Sequence, residues 1–204
     1  TASLTGPAAT SKQTPAMPRT PEEIAQSARE AYEAGAAVIH IHLRDNDDFT
    51  TDLDVARRTL DLVREVCPGI VQLSTGGRSG AGRERGGMIP LRPDMCSLST
   101  GSCNFPTRVY ENAPDLVEWQ SAEMLAHNIK PKIEAFDLSM IFKAAEMGQA
   151  GKIKGPLHGV PIAVKDLCWV KGAPSAHGMT IHRDFRPAFD GTVVKRLYAA
   201  GAIC

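Results

Sequence analysis

The sequence predicts an α/β fold, an incomplete (β/α)8 barrel of the TIM type with about five or six strands, and three observations predict it. Short apolar runs alternate with segments of helical periodicity from residue 4 to residue 147, as a parallel sheet with outer helices requires. Ala36 to His42 is a continuous, largely apolar run, as expected for a strand buried on both faces. A closed barrel takes roughly 250 residues. After Gly151 the alternation fades, so the series is expected to stop part-way round.

The elements follow in order. Leu4-Thr5-Gly6 ends a first strand, and Ala8 to Pro18 is a polar loop. Thr20 caps a helix, Pro21 takes its first position, and Glu23 completes a capping box. Ile24, Ala28, Ala31 and Tyr32 follow at helical spacing, and Gly35 stops the helix. The second strand ends at His42, and Val55 to Val66 is a helix broken by Cys67-Pro68-Gly69. Ile70 to Ser74 is a strand ending in the turn Thr75-Gly76-Gly77, and residues 78 to 90 form a Gly- and Arg-rich loop. Met95 to Ser99 is the next strand and Pro114 to His127 a helix. Ile133 to Phe136 is a fifth strand and Leu138 to Met147 a helix. Beyond them, Val160 to Val164 is a candidate sixth strand closed by Lys165, and Ala173 to Ala188 is a loop. Asp190 is expected to cap a last helix that Gly201 stops.

Lys plus Arg and Asp plus Glu number 23 each, so no net field favours nucleic acid or a membrane surface. Aromatics at 5% argue against base-stacking platforms. The apolar runs fall far short of the roughly 18 residues that span a bilayer. No apolar signal segment precedes a small-residue cleavage site. Five scattered cysteines without C-x-x-C spacing fit a reducing, cytoplasmic setting better than a disulfide frame. Self-association through unpaired strand edges is expected if the barrel does not close.

His40 and His42 lie two apart at the end of a strand, so both imidazoles face one side, close enough to share a metal; the alternative is one buried and one surface histidine. Asp45 and Asp48 sit just beyond, and two histidines plus a carboxylate make a common catalytic zinc set. The other strand ends carry Ser74 with its Thr-Gly-Gly turn, Thr100 with Ser102 and Asn104, and Glu134 with Asp137. Thr75-Gly76-Gly77 either exposes N–H groups to an anion or is a plain turn. Glu134 is either a base or cation binder, or one half of an ion pair with Lys130 or Lys132. Arg78, Arg83, Arg85 and Arg92 either meet a phosphate-bearing ligand or form a solvated loop face. Lys165, at a buried strand end, is either a desolvated base or an ion-pair partner of Asp166.

On five separated motifs, Thr20 to Ala25, Ala34 to Asp45, Ser74 to Gly77, Cys96 to Phe105 and Lys130 to Asp137, residues 1–157 resemble the β-keto acid cleavage enzymes, the 3-keto-5-aminohexanoate cleavage family. The resemblance implies a (β/α)8 barrel with a divalent metal, usually Zn2+, and acetyl-CoA as co-substrate. It implies a Claisen-type exchange in which a 3-keto acid and acetyl-CoA give acetoacetate and a new acyl-CoA. It makes His40 and His42 metal ligands, has Ser74 and Gly77 hold the substrate carboxylate, sets Glu134 on the distal substrate group, and places Thr100 and Asn104 near the pocket. A late glutamate completes the metal site in such enzymes, and this chain changes character before that point, so impaired activity is expected. Some relatives carry an acid where this chain has Ala8, which argues against an amino-keto acid.

The last fifty or so residues are similar to amidase signature enzymes, through Gly155 to Pro161, Lys165-Asp166, Arg183 to Ala188, Asp190 to Val194 and Ala199 to Ile203. That similarity makes Lys165 the lysine of a Ser-Ser-Lys triad, whose Gly/Ser-rich stretch this chain does not show. The expected organisation is thus a partial cleavage-enzyme barrel over 1–157 and an amidase-like fragment over 158–204, joined near Gly155-Pro156-Leu157-His158. The alternatives to acyl exchange are a hydrolase fragment using Lys165 and a non-catalytic metal-binding fragment.

Overall fold

The computed structural model describes residues 1–7, 10, 12–77, 80–105, 108–149, 164, 168–175, 182 and 184–199. In chain order their elements are β1 (Ala2–Ser3), α1 (Pro21–Glu33), β2 (Val38–Ile41), β3 (Arg44–Asp45), β4 (Asp48–Phe49), α2 (Leu53–Val66) and β5 (Ile70–Leu73). There follow β6 (Met95–Ser99), β7 (Cys103–Phe105), β8 (Arg108–Tyr110), α3 (Pro114–Ala126), β9 (Lys130–Glu134), α4 (Leu138–Gln149) and α5 (Thr192–Ala199). The fold is α/β, with β1-β2-β5-β6-β9 in one sheet whose order follows the chain. β1 pairs parallel with β2, β2 with β5, and β5 with β6. Strictly sequential order is the winding of a β/α barrel; a doubly wound sheet reverses direction part-way. The described residues fall into two compact units, Thr1–Ser97 with Trp119–Pro131 and Leu98–Glu118 with Lys132–Cys204.

In the first unit, helix starts lie where local chemistry puts them. Thr20 accepts from the Glu23 N–H at 3.2 Å, and Pro21 opens α1. The reciprocal half of the box differs: the Glu23 carboxylate reaches the Arg19 N–H at 2.7 Å, one residue further out. Asp52 caps α2 through the N–H groups of Asp54 and Val55. Ile24, Ala25 and Ala28 of α1 and Ala56, Leu60 and Val63 of α2 are buried, as are Ile39, Ile41, Val71 and Leu73 of the sheet. The Gly- and Arg-rich loop forms two 3-10 turns, Gly82–Gly86 and Ile89–Leu91. There the Arg83 guanidinium lies 5.2 Å over the Trp119 ring, and a Cβ on Gly86 would stand 2.7 Å from that indole. Arg85 is 1% exposed, so the reading of this loop as a solvated basic face is corrected for Arg85.

In the second unit, Asp137 caps α4, accepting from Ser139 Oγ at 2.7 Å and from the Met140 N–H at 3.0 Å. Met140, Ile141, Ala144 and Met147 form the buried face of α4, and Val194 and Leu197 that of α5. The Trp169 ring meets Phe185 at 5.6 Å and Phe189 at 5.1 Å, edge to face. The expected cap of the last helix is corrected: the Asp190 carboxylate accepts from the Lys171 N–H at 2.7 Å, and the Gly191 carbonyl takes the first bond of α5, from Lys195.

Two further differences stand out. The fifth strand of the sheet starts three residues earlier than Ile133, at Lys130, and includes Pro131. That proline is tolerated because β9 is last in the described sheet order, where a missing N–H leaves no ladder bond unmade. Two antiparallel hairpins, β3–β4 and β7–β8, form where the sequence reading assigns no element. Of the expected strand Val160–Val164 only Val164 is described, outside any strand; Lys165, the Gly155–His158 junction, Ala8, Arg78 and Gly201 lie outside the described residues.

Candidate functional site

Parallel register builds the histidine pair. His40 on β2 faces Gln72 on β5 as a direct Cα partner, and Ser74 continues the ladder by donating its N–H to the Ile41 carbonyl at 2.9 Å. His40 is 6% exposed and Gln72 1%. His40 Nδ1 lies 3.0 Å from Gln72 Oε1, and His40 Nε2 lies 3.2 Å from His42 Nε2. The two rings are nearly perpendicular, at 85°. Strand alternation has put both imidazoles on one side.

Thr5 fixes the second imidazole. Its hydroxyl donates to the His42 carbonyl at 2.8 Å and accepts from the His42 N–H at 2.8 Å, closing both main-chain groups of the residue just past β2. The Phe49 ring of the β3–β4 hairpin lies 6.3 Å from the His42 ring.

The fit of a metal can be tested on this geometry. Two nitrogens each about 2.05 Å from a tetrahedral zinc stand about 3.3 Å apart. The observed 3.2 Å matches that edge, and Gln72 Oε1 stands 3.0 Å behind the ring at His40 Nδ1. His40 and His42 thus fit two corners of such a site. Among the described residues no group of three His, Cys, Asp or Glu side chains converges, so neither Asp45 nor Asp48 joins the pair. Both are exposed, facing each other across the β3–β4 hairpin.

At the end of β5 the Thr-Gly-Gly turn is less open than its sequence suggests. The Thr75 N–H donates to Ser97 Oγ at 2.9 Å, and the Gly76 N–H to Ser74 Oγ at 3.1 Å. The Thr75 hydroxyl donates to the Ser97 carbonyl at 2.7 Å. Ser74 Oγ therefore accepts from inside the turn, and its own proton is left to point elsewhere. Behind the turn, Arg85 Nε donates to the Thr75 carbonyl at 2.9 Å, and the Arg85 stem crosses Gly77 so closely that a Cβ there would stand 2.7 Å from Cγ. Gly77 is glycine because of that crossing. Next to Ser97, burial pushes the Cys96 thiol up to about 12.

The second unit holds the other candidates. Glu134 Oε2 accepts from Ser99 Oγ at 3.0 Å, and Oε1 lies 3.3 Å from Lys132 Nζ, so the ion pair weighed from the sequence is present. The Thr100 N–H donates to the Glu134 carbonyl at 3.3 Å and its hydroxyl to the Met140 carbonyl at 2.8 Å, which ties Thr100 to the fold. Asn104 is exposed on β7, opposite Val109. Asp137, past β9, has its carboxyl held below the usual range, first by the Met140 N–H and then by the Ser139 hydroxyl. Thr5, Gln72 and Ser99 escape the sequence reading. Only Gln72 leaves a signal there, an amide inside the apolar strand Ile-Val-Gln-Leu, where burial demands a partner.

A model of the beta-keto acid cleavage enzyme family matches residues 1–177. A 3-oxoadipate:acetyl-CoA acetyltransferase of Cupriavidus necator is 57% identical over 157 residues, 76% of this chain and 55% of that protein. This chain thus spans about half of that relative's length. A Mycobacterium tuberculosis protein with amidase in its name, AmiD, is 66% identical over 53 residues, 26% of this chain and 11% of that protein. Among solved structures, the ternary complex of ObcA with C4-CoA adduct and oxalate superposes with a TM-score of 0.62 at 25% identity, over 67% of this chain and 34% of that one. The family match runs to residue 177, past the expected boundary at 157.

Proposed function

The chain belongs to the β-keto acid cleavage enzyme family, and we propose that it takes part in acyl exchange between a 3-keto acid and acetyl-CoA. The C2–C3 bond of the keto acid and the acetyl–sulfur bond of acetyl-CoA break; the acyl half of the keto acid passes to the CoA sulfur, and the carboxymethylene half bonds the acetyl carbon to give acetoacetate. The reading rests on one observation: two imidazole nitrogens 3.2 Å apart at the end of a parallel strand, the end where such folds collect their chemistry. His40 and His42 would hold a Zn2+ ion, which when bound polarises the keto carbonyl.

The remaining roles belong to the chain. Ser74, whose oxygen already accepts from Gly76, keeps a hydroxyl proton to donate to the substrate carboxylate, with the Gly77 main chain beside it. Glu134, held at both oxygens by Ser99 and Lys132, is the proposed catalytic carboxylate of the second unit. Thr100, whose N–H bonds the Glu134 main-chain carbonyl, and Asn104, with its exposed amide, are the further candidates for substrate contact. Two protein donors converge among the described residues where an open catalytic zinc site uses three, so weak zinc binding and low turnover are expected. The β/α winding belongs to an incomplete barrel in this reading.

The tail supports a second reading. The 66% identity over 53 residues favours an amidase origin for the last fifty or so positions, with Lys165 as the residue of interest. We read the region around Gly155–His158 as the join between the two.

Zinc content of the purified chain and of His40→Ala tests the metal; equal content in both removes it. Acetoacetate formation is assayed with acetyl-CoA and 3-oxoadipate, the compound in the first relative's name. No product at high protein concentration rejects acyl exchange for this chain. Ammonia release from simple amides tests the tail, and none is expected. Amplification of native transcript across codons 150–165 tests the join; two separate messages would dissolve it.

A further inference from the structure

We propose that Gln72 sets the tautomer of His40, holding its proton on Nδ1 so that Nε2 is presented beside His42 Nε2. The inference rests on the metal reading above for its purpose, and on geometry alone for its substance.

Gln72 Oε1 accepts and never donates, so a 3.0 Å contact with His40 Nδ1 requires a proton on that nitrogen. A neutral imidazole carries one N–H, which leaves the lone pair on Nε2. The register makes the contact obligatory. His40 and Gln72 are direct partners on adjacent parallel strands, with side chains on the same face, and each is buried. Neither side chain has solvent to turn to. A buried glutamine in a strand otherwise made of Ile, Val and Leu costs stability unless it is bonded. Packing alone would be met as well by methionine or leucine.

The choice of an amide over a carboxylate also has a consequence. Gln72 orients the ring without adding a negative charge beneath the histidine pair. A carboxylate at the same place would accept the same Nδ1–H more strongly and raise the basicity of Nε2. A methionine would fill the volume and accept almost nothing. Gln72 is thus a positioning residue acting through His40, and the substitutions Gln72→Met and Gln72→Glu separate that role from packing.

The test uses the full 204-residue chain. In metal-free protein, long-range 1H–15N spectra of the imidazoles, with the His40 signals identified by their loss in His40→Ala, should show the Nδ1–H form alone. Gln72→Met should shift His40 to a mixture, and Gln72→Glu should keep the Nδ1–H form. Zinc titration should then show affinity falling about 10- to 100-fold in Gln72→Met, and equal to or above the parent in Gln72→Glu. An Nε2–H form of His40 in the parent, or a Gln72→Met protein with unchanged tautomer, overturns the proposal. If the tautomer changes as stated but neither protein takes up zinc, the lock stands and the metal reading falls.

Discussion

Replacing Thr5 by valine removes one oxygen and keeps the shape, and the structure says what that oxygen does. It joins both main-chain groups of His42 to the first strand segment, at 2.8 Å each, in a residue only 5% exposed. Valine leaves an N–H and a carbonyl beneath a methyl group. Each orphaned buried group costs about 1–3 kcal/mol, and the added methyl returns about 0.8 kcal/mol at most. The net is a loss of about 1–5 kcal/mol, roughly 5- to 5000-fold in the folding equilibrium, against a total of about 5–15 kcal/mol for an ordinary domain. Thr5→Ser keeps the hydroxyl and should lose less than about 1 kcal/mol. Urea unfolding followed by circular dichroism reads the difference, and amide exchange at His42 locates it. A Thr5→Val midpoint within about 0.5 kcal/mol of the parent, with His42 still protected, would refute the claim that this hydroxyl holds the second imidazole.

Gly77→Ala sets a Cβ 2.7 Å from Arg85 Cγ and 3.0 Å from Cδ, in a side chain only 1% exposed, so overpacking of about 1–3 kcal/mol is expected. The penalty should shrink in an Arg85→Ala background, as a double-mutant cycle by urea melts will show. The lowered Asp137 carboxyl stabilises the fold fully above the ordinary aspartate range near pH 4, and that contribution goes as pH drops through its lower folded value. Asp137→Ala should therefore cost stability at pH 7 and little once the parent carboxyl is protonated, compared by unfolding at both pH values. Cys96, fully buried with its thiol pushed up to about 12, should resist alkylation at pH 8 in the folded protein while the half-buried Cys103 is labelled. Mass spectrometry of the digested protein checks this, and equal labelling would count against the packing around β6.

The parts of the fold legible in sequence are those fixed by near neighbours. Thr20-Pro21-Glu22-Glu23 marks the start of α1 because a cap needs only four consecutive residues; the Thr20 half of the box is the expected one, and the Glu23 half reaches Arg19. His40 and His42 share a side because strand alternation spans two positions. Pro131 hides the start of β9, since a proline argues against a strand until its place in the sheet order is known. Asp190 looks like a cap by position, yet its carboxylate is drawn to Lys171, nineteen residues back, by a contact no local pattern carries. Gln72 and Thr5 are illegible for the same reason. Their meaning lies in register with His40 and His42, 32 and 37 positions away.

The chain has two tryptophans, and they fall one to each unit. Trp119 sits under a guanidinium in the first, and Trp169 among phenylalanine edges in the second. Emission from the single-indole versions, Trp119→Phe and Trp169→Phe, therefore reports each half through its own lamp. Coincident fluorescence transitions would mean that the two halves melt together. Separated ones would give the order in which they let go, without any label attached.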